Sequence, residues 1–278
     1  MSYRYIDTHA HLNISAFSED VDEVVSKCGE EEVAVINIGT KESTSQRAVE
    51  LAEQQDNLYA IVGLHPIQTT SKYHSHEEIG EGSKPFKSQG EKFNSNFYRQ
   101  LAKSEKVVGI GECGFDYFHN DSGTREEQEE AFVAQIELAN ELGLPLMIHT
   151  RSSKDGKLDA YEDVYQVLKS YAKVPGNIHF YAGTYEQAKK FFELGFTVSF
   201  TGVITFASEY EEVVEQVPLD MIHAETDCPY VAPVPHRGKM GEPWMVKEVY
   251  KKIAAIRSED EERVREQLLA NAMRHYSL

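Results

Sequence analysis

Eight short apolar runs recur along the chain, and a segment with helical character follows each of them. The runs cover residues 5–9, 33–38, 59–64, 107–112, 146–149, 178–180, 196–200 and 221–225. Several are almost continuously apolar, as expected for parallel strands buried on both faces. The glycine-rich loop typical of dinucleotide-binding open sheets does not follow the first run. The pattern therefore predicts an α/β protein, a closed (β/α)8 TIM barrel.

Two of the intervening helices carry start and stop signals. Thr124 and Glu127 have the spacing of a capping box, and Gly143 is typical of the position after a last helical turn. Thr184 opens another helix in the same way, and Gly195 ends it. Three apolar residues of the first helix recur at helical spacing and are expected to face the strands: Phe132, Ile136 and Ala139.

Two polar segments interrupt the alternation of strands and helices. The longer segment covers residues 68–95 and contains His and Gly, and the shorter covers residues 152–159. Both follow predicted strands, so we expect both at the rim where barrel enzymes hold their chemistry. With no sign of a domain boundary, the chain is predicted to form one domain over residues 1–278, with a rim insertion at about 68–95.

The composition fits one such barrel. The chain has 278 residues, of which 41% are hydrophobic, and a typical single barrel needs about 250 residues. Its apolar stretches are shorter than the roughly 18 residues of a membrane helix, and its first residues do not resemble a secretory signal. Three scattered cysteines do not form a disulfide framework. We therefore expect a cytoplasmic protein without a membrane or an obligate protein partner.

The chain is strongly acidic, with a formal net charge of −18. A protein that grips duplex DNA through many phosphate contacts is usually basic on at least one face. Tight, non-specific binding of duplex DNA is therefore not expected. A nucleic-acid substrate remains compatible with this charge, because bound divalent cations can supply positive charge locally.

Ionisable residues lie at or just after the ends of five predicted strands, which meet at one mouth of a barrel. These residues are His9, His11, Glu112, His149, His179 and Asp227. His9 and His11 are two positions apart, so in extended backbone both side chains point to one side. Burying such a set would be costly unless its members bind something. Four imidazoles and two carboxylates suit one or two divalent ions, with Zn or Mn favoured by His and Mg permitted by the carboxylates.

Five motifs contain five of these residues, together with His65. They read Ile-Asp-Thr-His-Ala-His-Leu from residue 6, Gly-Leu-His-Pro from 63, Gly-Ile-Gly-Glu-Cys-Gly-Phe-Asp-Tyr from 109, Ile-His-Thr-Arg from 148 and Glu-Thr-Asp-Cys-Pro-Tyr from 225. Pro-Val-Pro-His-Arg-Gly-Lys continues the last motif from residue 233. In this order the motifs resemble the signatures of the TatD family of metal-dependent hydrolases. The match extends from residue 6 to about 240, and its last motif is highly specific.

The resemblance implies two divalent metal ions, Mg, Mn or Zn. The implied ligands are His9, His11 and Asp227 for the first ion and His149 and His179 for the second, with Glu112 bridging both. Asp227 is our candidate for the general base that activates water, and Glu112 would be essential for catalysis as the bridge. Related barrel hydrolases often carry a carboxylated Lys between the metals, so a Glu on the fourth strand favours the TatD branch. Residues 179–183 read His-Phe-Tyr-Ala-Gly where the family more often has His-Cys-Phe-x-Gly.

Four residues are candidates for substrate contact, each with a structural alternative. His65 would contact the scissile phosphate, or it is a histidine held in its loop. Arg151 would pair with a substrate phosphate, or it forms a structural ion pair. His236 and Arg237, with Lys239, form a cationic cluster beside the last motif. They would contact phosphate, or they belong to a solvated loop.

Several neighbours of the motifs have supporting interpretations. Asp116 and Tyr117 are expected to orient Glu112 through contacts outside the group of metal ligands. Cys113 and Cys228 each follow a predicted ligand, and strand alternation directs them into the packing layer. Among the other histidines, His74, His76 and His119 are expected at the surface, and His223 has no assigned role.

The prediction from sequence is a metal-dependent deoxyribonuclease that removes nucleotides from single-stranded or frayed DNA ends. An esterase acting on aminoacyl-tRNA would use the same site, as would an enzyme for small phosphodiesters or cyclic amides. A binding protein without activity is the alternative from another class. The complete set of six ligands is evidence against that alternative, because a decayed site would have lost at least one of them.

Overall fold

Eight parallel strands form one sheet, in which each strand of the barrel pairs with the next along the chain. They are β1 (Tyr5–Ala10), β2 (Val33–Ile38), β3 (Leu58–Val62), β6 (Val107–Asp116), β7 (Leu146–Arg151), β8 (Gly176–Ile178), β9 (Phe196–Phe200) and β10 (Ile222–Ala224). A separate antiparallel pair consists of β4 (Tyr73–His74) and β5 (Phe86–Lys87). The structure is a computed structural model that describes residues 3–74, 86–88, 90–118 and 124–278.

Helices alternate with the strands of the barrel, and two more follow the last strand. They are α1 (Val21–Glu30), α2 (Glu42–Gln54), α3 (Ser95–Leu101), α4 (Arg125–Leu142), α5 (Ala160–Tyr171), α6 (Tyr185–Glu193), α7 (Glu211–Gln216), α8 (Val246–Arg257) and α9 (Glu261–Tyr276). This order confirms the predicted (β/α)8 TIM barrel. Among the described helices, none combines the length and the apolar character required to cross a membrane.

The barrel closes where its first and last strands meet. Ala10 and Cys228 form a parallel bridge there. The backbone N–H of Asp227 donates to the carbonyl of His9 at 2.9 Å, and that of His11 donates to the carbonyl of Cys228 at 3.0 Å. Two of the candidate metal-binding motifs therefore also supply the hydrogen bonds that complete the barrel.

The strand ends agree with the apolar pattern in some places and depart from it in others. β2 and β9 have the predicted bounds. β6 continues to Asp116 rather than ending at 112, because its pairing with β7 extends as far as Asp116 and Arg151. β8 ends at Ile178, so the prediction of a strand over 178–180 was wrong. Phe180 has φ +45°, which takes the chain out of the extended conformation.

One of the two predicted capping boxes is present. The Thr184 hydroxyl accepts from the backbone N–H of Gln187, and the Gln187 side chain accepts from the backbone of Thr184. The box predicted at Thr124 was wrong, because the Thr124 hydroxyl accepts instead from the side chain of Gln128 at 2.8 Å. Gly143 ends α4 with φ +69°, as expected. The residues predicted to face the strands, Phe132, Ile136 and Ala139, are all fully buried.

The two polar segments follow strands, as predicted. The longer one contains the β4–β5 pair, while residues 75–85 and 89 lie outside the described part of the chain. The predictions for the His74 side chain, His76 and His119 also lie outside it. The shorter segment ends at Asp159, whose carboxylate caps α5 by accepting from the N–H groups of Tyr161 and Glu162.

Candidate metal centre

The six predicted metal ligands come together at the carboxyl-terminal mouth of the barrel. β1, β6 and β7 carry three of them, and the other three follow strands directly: His11 after β1, His179 after β8 and Asp227 after β10. The closest nitrogen–oxygen distances between their imidazoles and carboxylates range from 2.7 to 4.0 Å. Side chains from five strands therefore converge on a single point.

Glu112 lies at the centre of this group. Its Oε2 atom lies 3.3 Å from Nε2 of His9 and 4.0 Å from Nε2 of His11. Its Oε1 atom lies 2.8 Å from Nδ1 of His149 and 2.7 Å from Nε2 of His179. The two oxygens of one carboxylate thus face two different pairs of histidines.

Asp227 lies on the same side of Glu112 as the first pair of histidines. Its Oδ1 atom is 3.4 Å from Nε2 of His11 and 3.7 Å from Nε2 of His9. Asp227 has φ +54°, a left-handed conformation that a non-glycine residue rarely adopts. The backbone hydrogen bond that closes the barrel holds it there.

Three of the histidines have an oxygen atom close to the nitrogen that faces away from Glu112. Nδ1 of His11 lies 3.1 Å from the carbonyl of Ile38. Nε2 of His149 lies 2.9 Å from Asp116, and Nδ1 of His179 lies 3.4 Å from Glu225. Such outer contacts fix the orientation of metal-binding imidazoles and raise their basicity.

The supporting roles predicted for Asp116 and Tyr117 need correction. The Asp116 carboxylate contacts His149 rather than Glu112. The Tyr117 hydroxyl donates to Asp163 of α5 at 2.6 Å. Tyr117 follows β6 and its hydroxyl reaches the surrounding helical layer, so it does not support Glu112.

Asp7 is a fully buried carboxylate that sequence reasoning missed. It accepts from the N–H and the hydroxyl of Thr226 at 2.9 and 2.6 Å, and from the N–H of His9 at 3.2 Å. It therefore joins the two motifs that contain His9 and Asp227. The signal was its place two residues before a predicted ligand in the first motif.

Glu225 also went unassigned, although it opens the last motif. Its Oε1 atom accepts from the backbone N–H of Phe180 at 2.7 Å, and its Oε2 atom accepts from the hydroxyl of Ser199 at 2.6 Å. Glu225, His9 and His179 are close enough to form a metal-binding group of their own. Because both Glu225 oxygens already accept hydrogen bonds, we interpret it as the group that orients His179.

Comparison with known proteins agrees with this geometry. A family model described as TatD related DNase matches residues 6–277. The chain belongs to the TatD family. YabD of Bacillus subtilis, an uncharacterized metal-dependent hydrolase of this kind, is 35% identical over 277 residues, which are 98% of each chain. A 3'-5' ssDNA/RNA exonuclease TatD of Erwinia billingiae is 30% identical and also covers 98% of each chain.

Solved structures of TatD proteins share the fold. The crystal structure of YJJV, a TatD homologue from Escherichia coli K12, has a TM-score of 0.81 and 26% sequence identity, with all of both chains covered. A TatD-family hydrolase from Entamoeba histolytica has a TM-score of 0.77 at 22% identity, covering 99% of each chain. The chain is therefore a metal-dependent hydrolase of the TatD family on a barrel of the same architecture.

The donor set of this TatD-family site fits divalent metal ions. His9, His11 and Glu112 form one group whose ligand atoms lie within 4.8 Å of one another, and His65, Glu112 and His149 form another. Imidazole nitrogens and carboxylate oxygens together suit Zn and Mn, and carboxylates also suit Mg. Such a concentration of buried ionisable groups would be costly without an ion to compensate them.

Electrostatics within the centre keep the carboxylates ionised. Burial raises the pKa of Glu112, but the surrounding histidines, above all His179, outweigh it, and the pKa lies well below its ordinary value. Burial likewise raises the pKa of Asp227, but its contacts with His11 and His9 lower it overall. Both carboxylates are therefore available as ligands or proton acceptors at neutral pH.

His65 joins the centre from the loop after β3. Its Nε2 atom lies 3.1 Å from Nδ1 of His149 and 3.4 Å from Oε1 of Glu112. Its Nδ1 atom accepts from the backbone N–H of Ile67 at 3.1 Å. Burial and the nearby His149 lower the pKa of His65 to about 4. His65 is thus neutral at pH 7 and carries its proton on Nε2, which makes it a hydrogen-bond donor toward the centre.

Two of the remaining candidates lie against aromatic rings. Arg151, at the end of β7, lies over the ring of Phe118 at 3.8 Å. Arg237 lies over the ring of Phe206 at 4.1 Å. Arg151 ends β7 and Arg237 lies on the loop after β10, so both cations are at the same mouth of the barrel as the metal centre.

His236 packs edge-on against Trp244, with 5.0 Å between the ring centroids. The structure thus gives the His236 ring a packing partner on its own loop. Cys113 and Cys228 are fully buried in the core, as predicted, and burial raises the pKa of both thiols well above its ordinary value. Neither cysteine is therefore available as a thiolate.

Proposed function

We propose that this TatD-family hydrolase cleaves phosphodiester bonds of DNA at single-stranded or frayed ends, with two divalent ions. The position of Glu112 carries the proposal. One of its oxygens faces His9 and His11, and the other faces His149 and His179. A carboxylate placed in this way supports a bridging role between two cations.

The residues would divide between the two ions. The first site would use His9, His11, Asp227 and Oε2 of Glu112, and the second would use His149, His179 and Oε1 of Glu112. When bound, two divalent ions polarise a phosphate, neutralise developing charge and lower the pKa of water. Mg, Mn and Zn are all compatible with these ligands.

The chain itself would supply proton acceptance and hydrogen bonding. Asp227 is an ionised carboxylate and partly exposed at the mouth, so it would accept the proton of the attacking water. His65 would donate its Nε2 proton to an oxygen of the scissile phosphate. Its hydrogen bond from Ile67 supports this role, because it keeps Nδ1 as the acceptor.

Two observations support a nucleic-acid substrate. The relative from Erwinia billingiae carries the name of a 3'-5' ssDNA/RNA exonuclease. At the mouth of this chain, Arg151 and Arg237 lie on aromatic rings, and Phe206 is 44% exposed. Cations beside exposed aromatic rings suit a single strand, which offers both phosphates and unpaired bases. The net charge of −18 is unfavourable for gripping a duplex.

The test is digestion of end-labelled single-stranded DNA by metal-stripped protein to which Mg²⁺, Mn²⁺ or Zn²⁺ is added. We expect metal-dependent shortening of the strand by the wild-type protein. Glu112→Ala should reduce the rate by at least about 1,000-fold, or roughly 4 kcal/mol of barrier, because the bridge is lost. Circular dichroism should show that the variant keeps its fold.

Glu137→Ala is the matched control, because Glu137 is an exposed glutamate on α4. It should cleave DNA at the wild-type rate. Wild-type activity in Glu112→Ala would contradict the role of Glu112. Protein that is loaded with two ions but leaves DNA intact would contradict the proposed substrate.

A further inference from the structure

Polar side chains occupy one side of the barrel interior beside the metal centre. They belong to the neighbouring strands β8, β9 and β10, and none is more than 7% exposed: Asn177, Thr197, Ser199 and His223. An apolar cluster includes Ile6, Ile36, Ile61 and Met147, with Ala272 and Tyr276 of α9. Asn177 lies at the boundary, with its amide nitrogen 3.7 Å from the sulfur of Met147.

These polar residues form a continuous hydrogen-bonded chain. Nε2 of His223 lies 3.0 Å from the hydroxyl of Thr197, which lies 3.1 Å from Oδ1 of Asn177. Nδ2 of Asn177 lies 2.7 Å from the hydroxyl of Ser199, which lies 2.6 Å from Oε2 of Glu225. These hydrogen bonds thus connect His223 in β10 with the carboxylate of Glu225, which lies near His179.

The direction of donation along this chain follows from its acceptor end. The Ser199 hydroxyl donates to the carboxylate of Glu225, so its oxygen accepts from the amide of Asn177. The carbonyl of Asn177 then accepts from Thr197, and Thr197 accepts from Nε2–H of His223. Every donor points toward Glu225, and aligned hydrogen bonds of this kind strengthen one another.

Glu225 in turn lies beside His179. Its Oε1 atom lies 3.4 Å from Nδ1 of His179, while Nε2 of His179 lies 2.7 Å from Glu112. We infer that the chain from His223 to Ser199 is a positioning device. It keeps the Glu225 carboxylate directed at Nδ1 of His179, so that Nε2 is presented to the second metal ion. This inference rests on the proposed role of His179 as a ligand.

Ser199→Ala tests the inference with two readouts. In proton NMR spectra, the low-field signal of the His179 Nδ1 proton should be present in the wild type, both metal-free and with Zn²⁺. It should broaden or move upfield in the variant. In calorimetric titration with Zn²⁺, the affinity for the second ion should fall on the order of tenfold, while that for the first ion stays unchanged.

Ser45→Ala is the matched control. Ser45 is also a fully buried serine, but it does not belong to the hydrogen-bonded chain that ends at Glu225. Its hydroxyl donates to the carbonyl of Gly63 at 3.2 Å. It should leave the His179 signal and both Zn²⁺ affinities unchanged. Asn177→Leu keeps a side chain of similar shape but removes the amide group, so it should reproduce the effect of Ser199→Ala.

The inference would be overturned if Ser199→Ala and Asn177→Leu both left the His179 signal and the affinity for the second Zn²⁺ ion unchanged. In that case the two variants would only lower the melting temperature, as Ser45→Ala does. Failure of the wild type to bind a second Zn²⁺ would instead contradict the proposed function. The signal in the metal-free protein would still report on the positioning of His179.

Discussion

Three histidines of the centre have one nitrogen beside a neighbouring oxygen atom and the other nitrogen facing Glu112. His11 and His149 are anchored by oxygen atoms of Ile38 and Asp116, and Nδ1 of His179 lies at ion-pair distance, 3.4 Å, from Glu225. Nδ1 of His9, like that of His179, is buried without a hydrogen bond among the described residues. The ring of His9 is instead held by stacking on His179, with 3.9 Å between the centroids. Orientation is therefore fixed before any ion binds.

His65→Ala tests whether His65 is a donor to substrate rather than a metal ligand. The variant should bind the same number of ions as the wild type, because the proton of His65 is on Nε2, the atom that faces the centre. Its kcat on single-stranded DNA should fall about 100-fold, as for the loss of one hydrogen bond to developing charge. Metal content by mass spectrometry and kinetics measure both. A lost ion would make His65 a ligand instead.

The candidate ligands could be predicted from sequence, whereas most of the residues that support them could not. His9 and His11 have a recognisable spacing, and Glu112 and Asp227 lie within specific motifs. Asp7 lies in the first motif, but its supporting contact could not be predicted, because its partner Thr226 lies 219 positions away in sequence. Contacts of that separation depend on how the barrel closes, which no local pattern encodes.

The strands were predictable because parallel strands buried on both faces form nearly continuous apolar runs. Their ends were less predictable, since pairing with neighbours decides them. β6 is ten residues long because it remains paired with β7 beyond Glu112. β8 is short because Phe180 turns away and donates its N–H to Glu225.

Two glycines allow β6 and β7 to approach each other beside the metal centre. Gly111 and Gly114 have φ +147° and +140°, a region that favours glycine. A Cβ atom at Gly114 would overlap the carbonyl oxygen of His149, and one at Gly111 would overlap that of Met147. This close approach brings Glu112 and His149 into contact.

At the scale of the whole molecule, the metal centre couples stability to pH. Burial lowers the pKa of His11, His149 and His179, but the contacts with carboxylates outweigh it and raise each pKa overall. Because the pKa of these histidines is raised, their protonation stabilises the metal-free fold, and this contribution is fully present at pH values below the ordinary histidine pKa of 6.5. It is lost as the pH rises through the raised pKa. Metal ions must displace these protons to bind.

Zn²⁺ should therefore stabilise the protein more at pH 8 than at pH 6. One proton displaced across two pH units corresponds to roughly 2.7 kcal/mol, so the Tm shift should differ by on the order of 5 °C. Thermal unfolding with excess Zn²⁺ or with EDTA at each pH measures it. Equal shifts at the two pH values would show that binding displaces no histidine protons.

The most direct test of the account is a crystal structure with Mn²⁺, in which anomalous scattering locates each ion. We predict two peaks, one on each side of the Glu112 carboxylate. The first should contact His9, His11 and Asp227, and the second should contact His149 and His179. A single peak, or two peaks that leave Glu112 uncoordinated, would contradict the bridging role on which the proposed hydrolysis depends.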